Sequence, residues 1–267
     1  AISAIDIGLW DLKAKTLGLP LYKLLGPLAT SIPIHGSGGS VHLSEKTLLE
    51  EITGYVKQGI QNVKMEVGKN LGKSEREDIE RVDSVRKAVG DDIALYVTAK
   101  HTYYPKQAIY MSKQFEEHQV GWLENPLISD NVQDLKELRL STDIPIASGS
   151  EKYTAQGFKD LISQRGIDIV QSNVERIGGV TALMRVAYFT QMFNLPIVLC
   201  SAQLINVHVA CAIPNLKSIE YTDYHLNADR IWYTDFPEPN DGVWSPYLDK
   251  PGIGLELNPY SVERWAV

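Results

Sequence analysis

The chain has 267 residues, 44% hydrophobic and 22% charged, which is enough apolar material for one sizeable core and too much for a disordered chain. Its net charge of −7 argues against a nucleic-acid partner, because proteins that bind the phosphate backbone carry a basic face. No apolar run reaches the roughly 18 residues of a membrane span and no basic-then-apolar leader opens the sequence; Cys200 and Cys211, eleven apart, make neither a disulfide framework nor a Cys-x-x-Cys metal spacing. A cytoplasmic protein without a membrane partner is expected.

The first residues already read as a helix, since Ile2, Ile5, Leu9 and Leu12 recur at helical spacing and Gly18 follows. The chain starts at Ala1, without a methionine, inside that helix, so a segment upstream is expected to be missing. β-branched runs then come at regular intervals, at 31–35, 62–67, 94–99, 121–124, 144–147, 168–171, 196–199 and 218–221. Between them lie amphipathic segments, such as Leu48, Ile52 and Val56 ending at Gly59, or Ile79, Val82 and Val85 ending at Gly90, where glycine suits a helix C-cap. Strand–helix repeats imply parallel strands, and eight of them in this length predict an α/β fold, a closed TIM (β/α)8-type barrel rather than an open sheet. No Gly-x-Gly-x-x-Gly follows the first strand; Gly36-Ser37-Gly38-Gly39 gives a tight exit rather than a phosphate cradle, because no Lys-Ser or Lys-Thr comes after it. The charged run from Lys69 to Arg86 reads as a solvated helix face. The barrel domain, with the helix before it, is assigned to 1–226, and the tail 227–267, rich in Pro, Gly, Trp and Tyr, to a wrap.

In such barrels the chemistry sits at the C-terminal ends of the strands, and side chains two apart share a face. The second strand offers Lys64 and Glu66, the third Thr98 and Lys100, the fourth Glu124, the fifth Ser150 with Glu151 beside it, the sixth Asn173, the seventh Cys200 and the eighth Glu220. Seven successive strands thus aim polar or reactive groups at one mouth. Cys200 has no assignable histidine to activate it and reads as a small buried filler rather than a nucleophile or an acid/base group. His208, in the apolar run Val207-His208-Val209-Ala210, reads as a core histidine. His101 and Tyr103 follow Lys100 in a loop and either line the mouth or take no part in it.

Four segments carry a family resemblance in order along the chain: Ala1-Ile2-Ser3-Ala4-Ile5-Asp6-Ile7-Gly8-Leu9-Trp10-Asp11-Leu12-Lys13, Trp122-Leu123-Glu124-Asn125-Pro126, Asp168-Ile169-Val170-Gln171 with Arg176-Ile177-Gly178-Gly179-Val180-Thr181, and Pro251-Gly252-Ile253-Gly254-Leu255. They resemble the enolase superfamily, mandelate racemase/muconate lactonizing enzyme branch. The resemblance implies an N-terminal α+β capping domain on a modified, (β/α)7β-like barrel, so that this chain carries the barrel half with the capping domain absent. It implies a homo-oligomer acting on a small-molecule carboxylate or acid sugar. It also implies a mechanism: magnesium binds the substrate carboxylate, a base removes the α proton, and the metal offsets the charge of the enediolate.

Carried over residue by residue, the resemblance meets departures. Three carboxylates at the ends of the third, fourth and fifth strands normally hold the metal. Here Val97-Thr98-Ala99-Lys100 has a threonine at the first position, Glu124-Asn125-Pro126 keeps the second, and Ile146-Ala147-Ser148-Gly149-Ser150 lacks the third, with Glu151 displaced by one place. Lys64-Met65-Glu66 keeps the lysine that contacts the substrate carboxylate and replaces the base by a carboxylate. Asn173 and Cys200 stand in place of the Asp–His dyad, and Glu220 matches the position of an acid that hydrogen-bonds the enediolate.

Two functions follow. One is a magnesium-dependent dehydratase (a lyase) or racemase (an isomerase), with Lys64 binding the carboxylate, Glu124 on the metal, alone or in a degenerate site with Glu151, and Glu66 or Glu220 handling a proton. The other, favoured by the residues, is a divergent, metal-free homologue that binds a small carboxylate or polyol through Lys64 and Lys100. On that reading Lys100 brings an ammonium against Glu124, with Glu66 or Glu151 beside it, as a salt bridge in place of magnesium.

Overall fold

The computed structural model describes residues 1–265. Among them, eight strands run parallel in the order β2-β3-β4-β5-β6-β7-β8-β1, and β1 also pairs with β2, which closes the barrel. They are β1 Ile32–Gly38, β2 Asn62–Glu66, β3 Ala94–Thr98, β4 Val120–Glu124, β5 Ile146–Ser148, β6 Ile169–Asn173, β7 Ile197–Cys200 and β8 Leu216–Tyr221. Each of the eight β-branched runs forms a strand. Their ends differ by a few residues: β1 runs on through Gly36 and Gly38, while β6 and β7 reach Asn173 and Cys200. Gly36 suits β1 because a Cβ there would stand 2.5 Å from the ring of Tyr55, on the helix Glu45–Lys57 that packs over it.

Helices cover the outside of the barrel. Ser44 caps the helix Glu45–Lys57 by accepting from the Thr47 N–H at 3.2 Å, and Gly90 ends the helix Glu75–Val89 with φ 80, a backbone that favours glycine. The charged run before Gly90 corrects its sequence reading, because Asp78, Arg81 and Arg86 are buried. Their charges face backbone groups of neighbouring loops. Asp78 accepts from the Gly68 N–H at 2.8 Å, and Arg81 donates to the carbonyls of Gly39 and Ser40 at 3.0 and 2.9 Å. Arg86 donates to the carbonyls of Gly90, Ile93, His118 and Gln119 at 2.7 to 3.1 Å. Helical periodicity shows which side of the helix carries charge, and says nothing of loops folded against it.

The inside of the barrel is filled by Tyr96, Trp122, Ala147, Ile169, Val198 and Cys200. The Tyr96 and Trp122 rings stack with centroids 3.4 Å apart, and the buried His35 imidazole meets the Trp122 ring edge-on at 5.3 Å. This packed floor leaves only the strand tops as a mouth.

The tail is structured and does not form a ninth repeat. A helix, Asp223–Trp232, runs across the 226/227 boundary assigned from sequence; β9, Val243–Trp244, then pairs antiparallel with Ile32 and Pro33, and a helix spans Pro259–Trp265. The assigned wrap also includes Ala266 and Val267, which lie outside the described residues. Around Gly252 the tail meets the start of the chain: Leu21 N–H donates to Gly252 O at 2.7 Å, Gly252 N–H to Leu19 O at 2.9 Å, and Ile253 N–H to the Asp11 carboxylate at 2.7 Å. His208 is a core histidine, its Nε2 at 3.0 Å from Ile253 O.

Candidate functional site

Strand register lays Glu66, Thr98 and Glu124 side by side on β2, β3 and β4, with Glu220 on β8 opposite His35. Two adjoining cavities open above them. One of about 240 Å³ is lined by Thr98, Lys100, Glu124, Glu151, Asn173, Arg176, Cys200 and Glu220 among others, and one of about 310 Å³ by Lys64, Glu66 and Glu51, with Thr98, Lys100, Glu124 and Glu220 common to both. All the residues singled out from the strand ends therefore stand around one mouth. A larger cavity, about 830 Å³, lies beside it between Tyr104 and Ile128 and shares Lys100 and His101 with the smaller one.

At the centre is Lys64, only 1% exposed, with its Nζ 2.7 Å from Glu124 Oε2 and 2.7 Å from Glu220 Oε1. Burial opposes its charge, but Glu124 and then Glu220 outweigh burial and hold the ammonium well above the ordinary lysine value. For Glu220 burial likewise favours the neutral acid, yet Lys64 and then His35, with a hydrogen bond from Ser37, together outweigh it and hold the carboxyl below its usual range. Gln171, two residues before Asn173 on the same face of β6, donates its amide to Glu124 Oε2 at 2.5 Å. That residue was missed as a site residue, although the two-residue alternation from Asn173 points to it.

Lys100 corrects the expected pairing. It does not meet Glu124; its ammonium bonds Glu66 at the rim, where the lysine side chain is 62% exposed. The reason is local. β3 ends at Thr98, and Lys100 and His101 take left-handed backbone with φ 47 and 64, so strand alternation no longer sets their direction. His101 N–H donates to Asn125 O at 2.6 Å and its Nδ1 donates to Leu127 O at 2.7 Å, which leaves Nε2 3.1 Å from Glu151. His101 thus lines the mouth. Tyr103 is buried at the edge of the 830 Å³ cavity, with its hydroxyl on Asp78 at 3.2 Å.

Glu151 is brought back to the rim by the loop after β5. Gly149 turns there with φ 119, where a Cβ would lie 2.7 Å from Gln171 O, and Ser150 Oγ accepts from Asn125 at 3.1 Å. The Glu151 carboxylate faces His101 and, at 4.0 Å, Arg176, and is half exposed. Asn173 spends its side-chain oxygen on the Glu175 N–H at 2.8 Å, capping a short helix. Cys200 is buried; burial first, and then the Glu220 carboxylate, push its thiol well above the ordinary value, as suits a filler more than a nucleophile.

Against known proteins, a family model described as enolase C-terminal domain-like matches residues 47–261, and one described as mandelate racemase/muconate lactonizing enzyme, N-terminal domain, matches residues 1–26. The chain belongs to the enolase superfamily, in its mandelate racemase/muconate lactonizing branch. Within this superfamily it is 32% identical over 221 residues to arabinonate dehydratase of Saccharolobus solfataricus, covering 79% of this chain and 58% of that protein. It is 31% identical over 226 residues to L-talarate/galactarate dehydratase of Salmonella typhimurium, covering 84% of this chain and 56% of that protein. The chain thus spans somewhat over half the length of these curated relatives. A mandelate racemase/muconate lactonizing enzyme-like protein from Rubrobacter xylanophilus superimposes with TM-score 0.94 at 34% identity, over 100% of this chain and 74% of that one. L-talarate dehydratase from Polaromonas sp. JS666, complexed with Mg and L-glucarate, does so with TM-score 0.90 at 31% identity, over 99% and 72%. Residues 1–26, which include the helix read from sequence before Gly18 as leading into the barrel, fall under the N-terminal-domain model.

Enolase-superfamily membership makes magnesium the metal to test against these side chains, and the donor set does not fit it. Magnesium wants anionic oxygen ligands in an octahedron. Thr98 and Ser150 offer neutral hydroxyls, and Glu124, expected as the metal ligand, gives one oxygen to both Lys64 and Gln171. Glu151 faces His101 and Arg176. Among the described residues no group of three or more His, Cys, Asp or Glu side chains is placed to hold a metal ion. No helix of the described residues is long and apolar enough to cross a membrane.

Proposed function

We propose that the barrel mouth is a divergent binding site for a small carboxylate or polyol, in which abstraction of an α proton has been lost. One observation carries this reading: Lys64 is buried with its ammonium between two glutamates. A lysine so engaged has no lone pair for a proton, and it is not free to grip a substrate carboxylate. The other positions offer weak replacements for the base. Glu66, the carboxylate at the base's position, is already engaged by Lys100 and by the Val41 N–H at 3.3 Å; Asn173 is an amide and Cys200 is a buried thiol.

The cations left for an anionic ligand are Lys100 and Arg176, both exposed and both lining the 240 Å³ cavity. Each would exchange a rim carboxylate, Glu66 or Glu151, for that of the ligand. Asn125, Ser150 and Ser201 line the same cavity and supply hydrogen bonds suited to hydroxyl groups. The dehydratase names of the relatives in Saccharolobus solfataricus and Salmonella typhimurium favour acid sugars as the ligands to try first, and they keep a magnesium-dependent dehydratase as the second reading.

The test is proton exchange in deuterated buffer across a panel of acid sugars, with and without magnesium, alongside thermal-shift binding. No exchange is expected, with at least one acid sugar raising the melting temperature and Arg176→Ala weakening that shift about tenfold in ligand concentration, one lost charge-assisted contact. Magnesium-dependent exchange would establish the second reading instead.

A further inference from the structure

The ion cluster above the packed floor has a geometry that ligand binding does not require. Its members come from three separated strands, Lys64 from β2, Glu124 from β4 and Glu220 from β8, and converge on one ammonium at 2.7 Å from each carboxylate. Gln171 from β6 completes the ring by donating to the oxygen of Glu124 that already accepts from Lys64. Four strands are thus tied together through side chains that lie at the bottom of the mouth, Lys64 and Glu124 buried and Glu220 partly exposed, above the packed interior. Without the ammonium, Glu124 and Glu220 would face one buried space with two negative charges and no cation. Charges in that position are tolerated only when compensated. At Thr98 and Ser150, where the family resemblance implies metal-binding carboxylates, this chain has hydroxyls, so a single positive charge balances what remains to within one unit.

We infer that Lys64, the lysine kept from the family pattern, here serves as the mouth's built-in cation, balancing Glu124 and Glu220 without a divalent ion beside it and holding the tops of β2, β4 and β8 together. The inference goes beyond the ligand-binding reading and stands whether or not a ligand is found. It has a direct corollary: removing the ammonium leaves two converging carboxylates, which opens a place for a divalent cation that the unaltered protein does not have.

Three proteins test this in thermal unfolding, each with magnesium chloride or with sodium chloride of equal ionic strength. They are the unaltered chain, Lys64→Met, and the charge-neutral variant combining Lys64→Met with Glu124→Gln and Glu220→Gln. The unaltered chain is expected to melt at the same temperature in both salts. Lys64→Met is expected to melt lower and to regain roughly 3–6 °C in magnesium at about ten times its dissociation constant. The charge-neutral variant is expected to melt above Lys64→Met and to ignore magnesium. Stabilisation of the unaltered chain by magnesium overturns the inference, as does a Lys64→Met protein that folds but does not respond. Should Lys64→Met not fold at all, the charge-neutral variant decides: folded, it supports charge balance as the role of Lys64, and equally unfolded, it refutes it. None of these outcomes depends on the acid-sugar assays.

Discussion

Replacing His35 with phenylalanine should make the protein less sensitive to mild acid, by an amount the structure fixes. His35 is fully buried on β1, with Nδ1 2.9 Å from Ser218 Oγ, and burial first, helped by the Lys64 charge, lowers its pKa to about 3. In the unfolded chain the same imidazole takes up a proton near pH 6.5. Between those values the unfolded state binds a proton that the native state refuses, so stability falls as pH falls. Integrated from about pH 7 to about pH 5 this costs the native state about 2 kcal/mol. His208, lowered to about 4 by burial, adds a similar loss. Asp229 acts in the opposite sense, because burial raises its carboxyl to about 6 and the native state gains a proton there before the unfolded one does. The difference between the two proteins isolates His35, since His208 and Asp229 are common to both. Urea unfolding at a series of pH values measures it. The phenylalanine keeps an aromatic ring against Trp122 and gives up the bond to Ser218, so its absolute stability is free to move. What matters is the change between the two pH values, which should be about 2 kcal/mol smaller in the variant. Equal losses in the two proteins would refute a neutral, buried His35.

Arg86→Lys should lower the melting temperature by roughly 6–10 °C, because a lysine cannot reproduce a fork that serves four backbone carbonyls, and leaving buried acceptors unpaired costs about 3–5 kcal/mol. A fall of less than 2 °C, on the order of 1 kcal/mol, would show that those carbonyls find water. Cys200 and Cys211 are both buried, with thiols raised by burial, Cys211 to about 12. A thiol reagent near neutral pH should therefore count no reactive thiol in the native protein and two after unfolding in urea; fast labelling of native Cys200 would argue for an accessible thiolate.

The barrel was legible because two short-range signals agree: β-branched runs mark strands, and their spacing leaves room for one helix each. The mouth was legible for the same reason, since alternation along a strand says which side chains look inward. Both signals stop at the end of a strand. Lys100 lies two residues past Thr98 on a left-handed turn, and its expected partner, Glu124, goes to Lys64 instead. That choice depends on distances across the barrel between β2, β4 and β8, which no local pattern encodes. Arg81 and Arg86 were misread for a related reason: a charged residue on a helix reads as solvated until a loop's carbonyls are known to fold over it. In the tail, aromatic and proline content hid the periodicity of the helix Asp223–Trp232, whose buried residues include Leu226.

The meeting of Gly252 and Ile253 with Leu19, Leu21 and Asp11 bears on how the barrel assembles. The Asp11 to Ile253 bond closes a loop of 242 residues, and β9 lies against the first strand rather than the last. Contacts this remote in sequence are entropically expensive to form early; the opening helix is held by the middle of the chain as well, where Trp10 donates to Thr181 Oγ1 at 2.8 Å and the Thr181 N–H to Asp6 at 3.0 Å, and the tail completes its seat. Hydrogen exchange at the Gly252 and Ile253 amides should report when this seam opens.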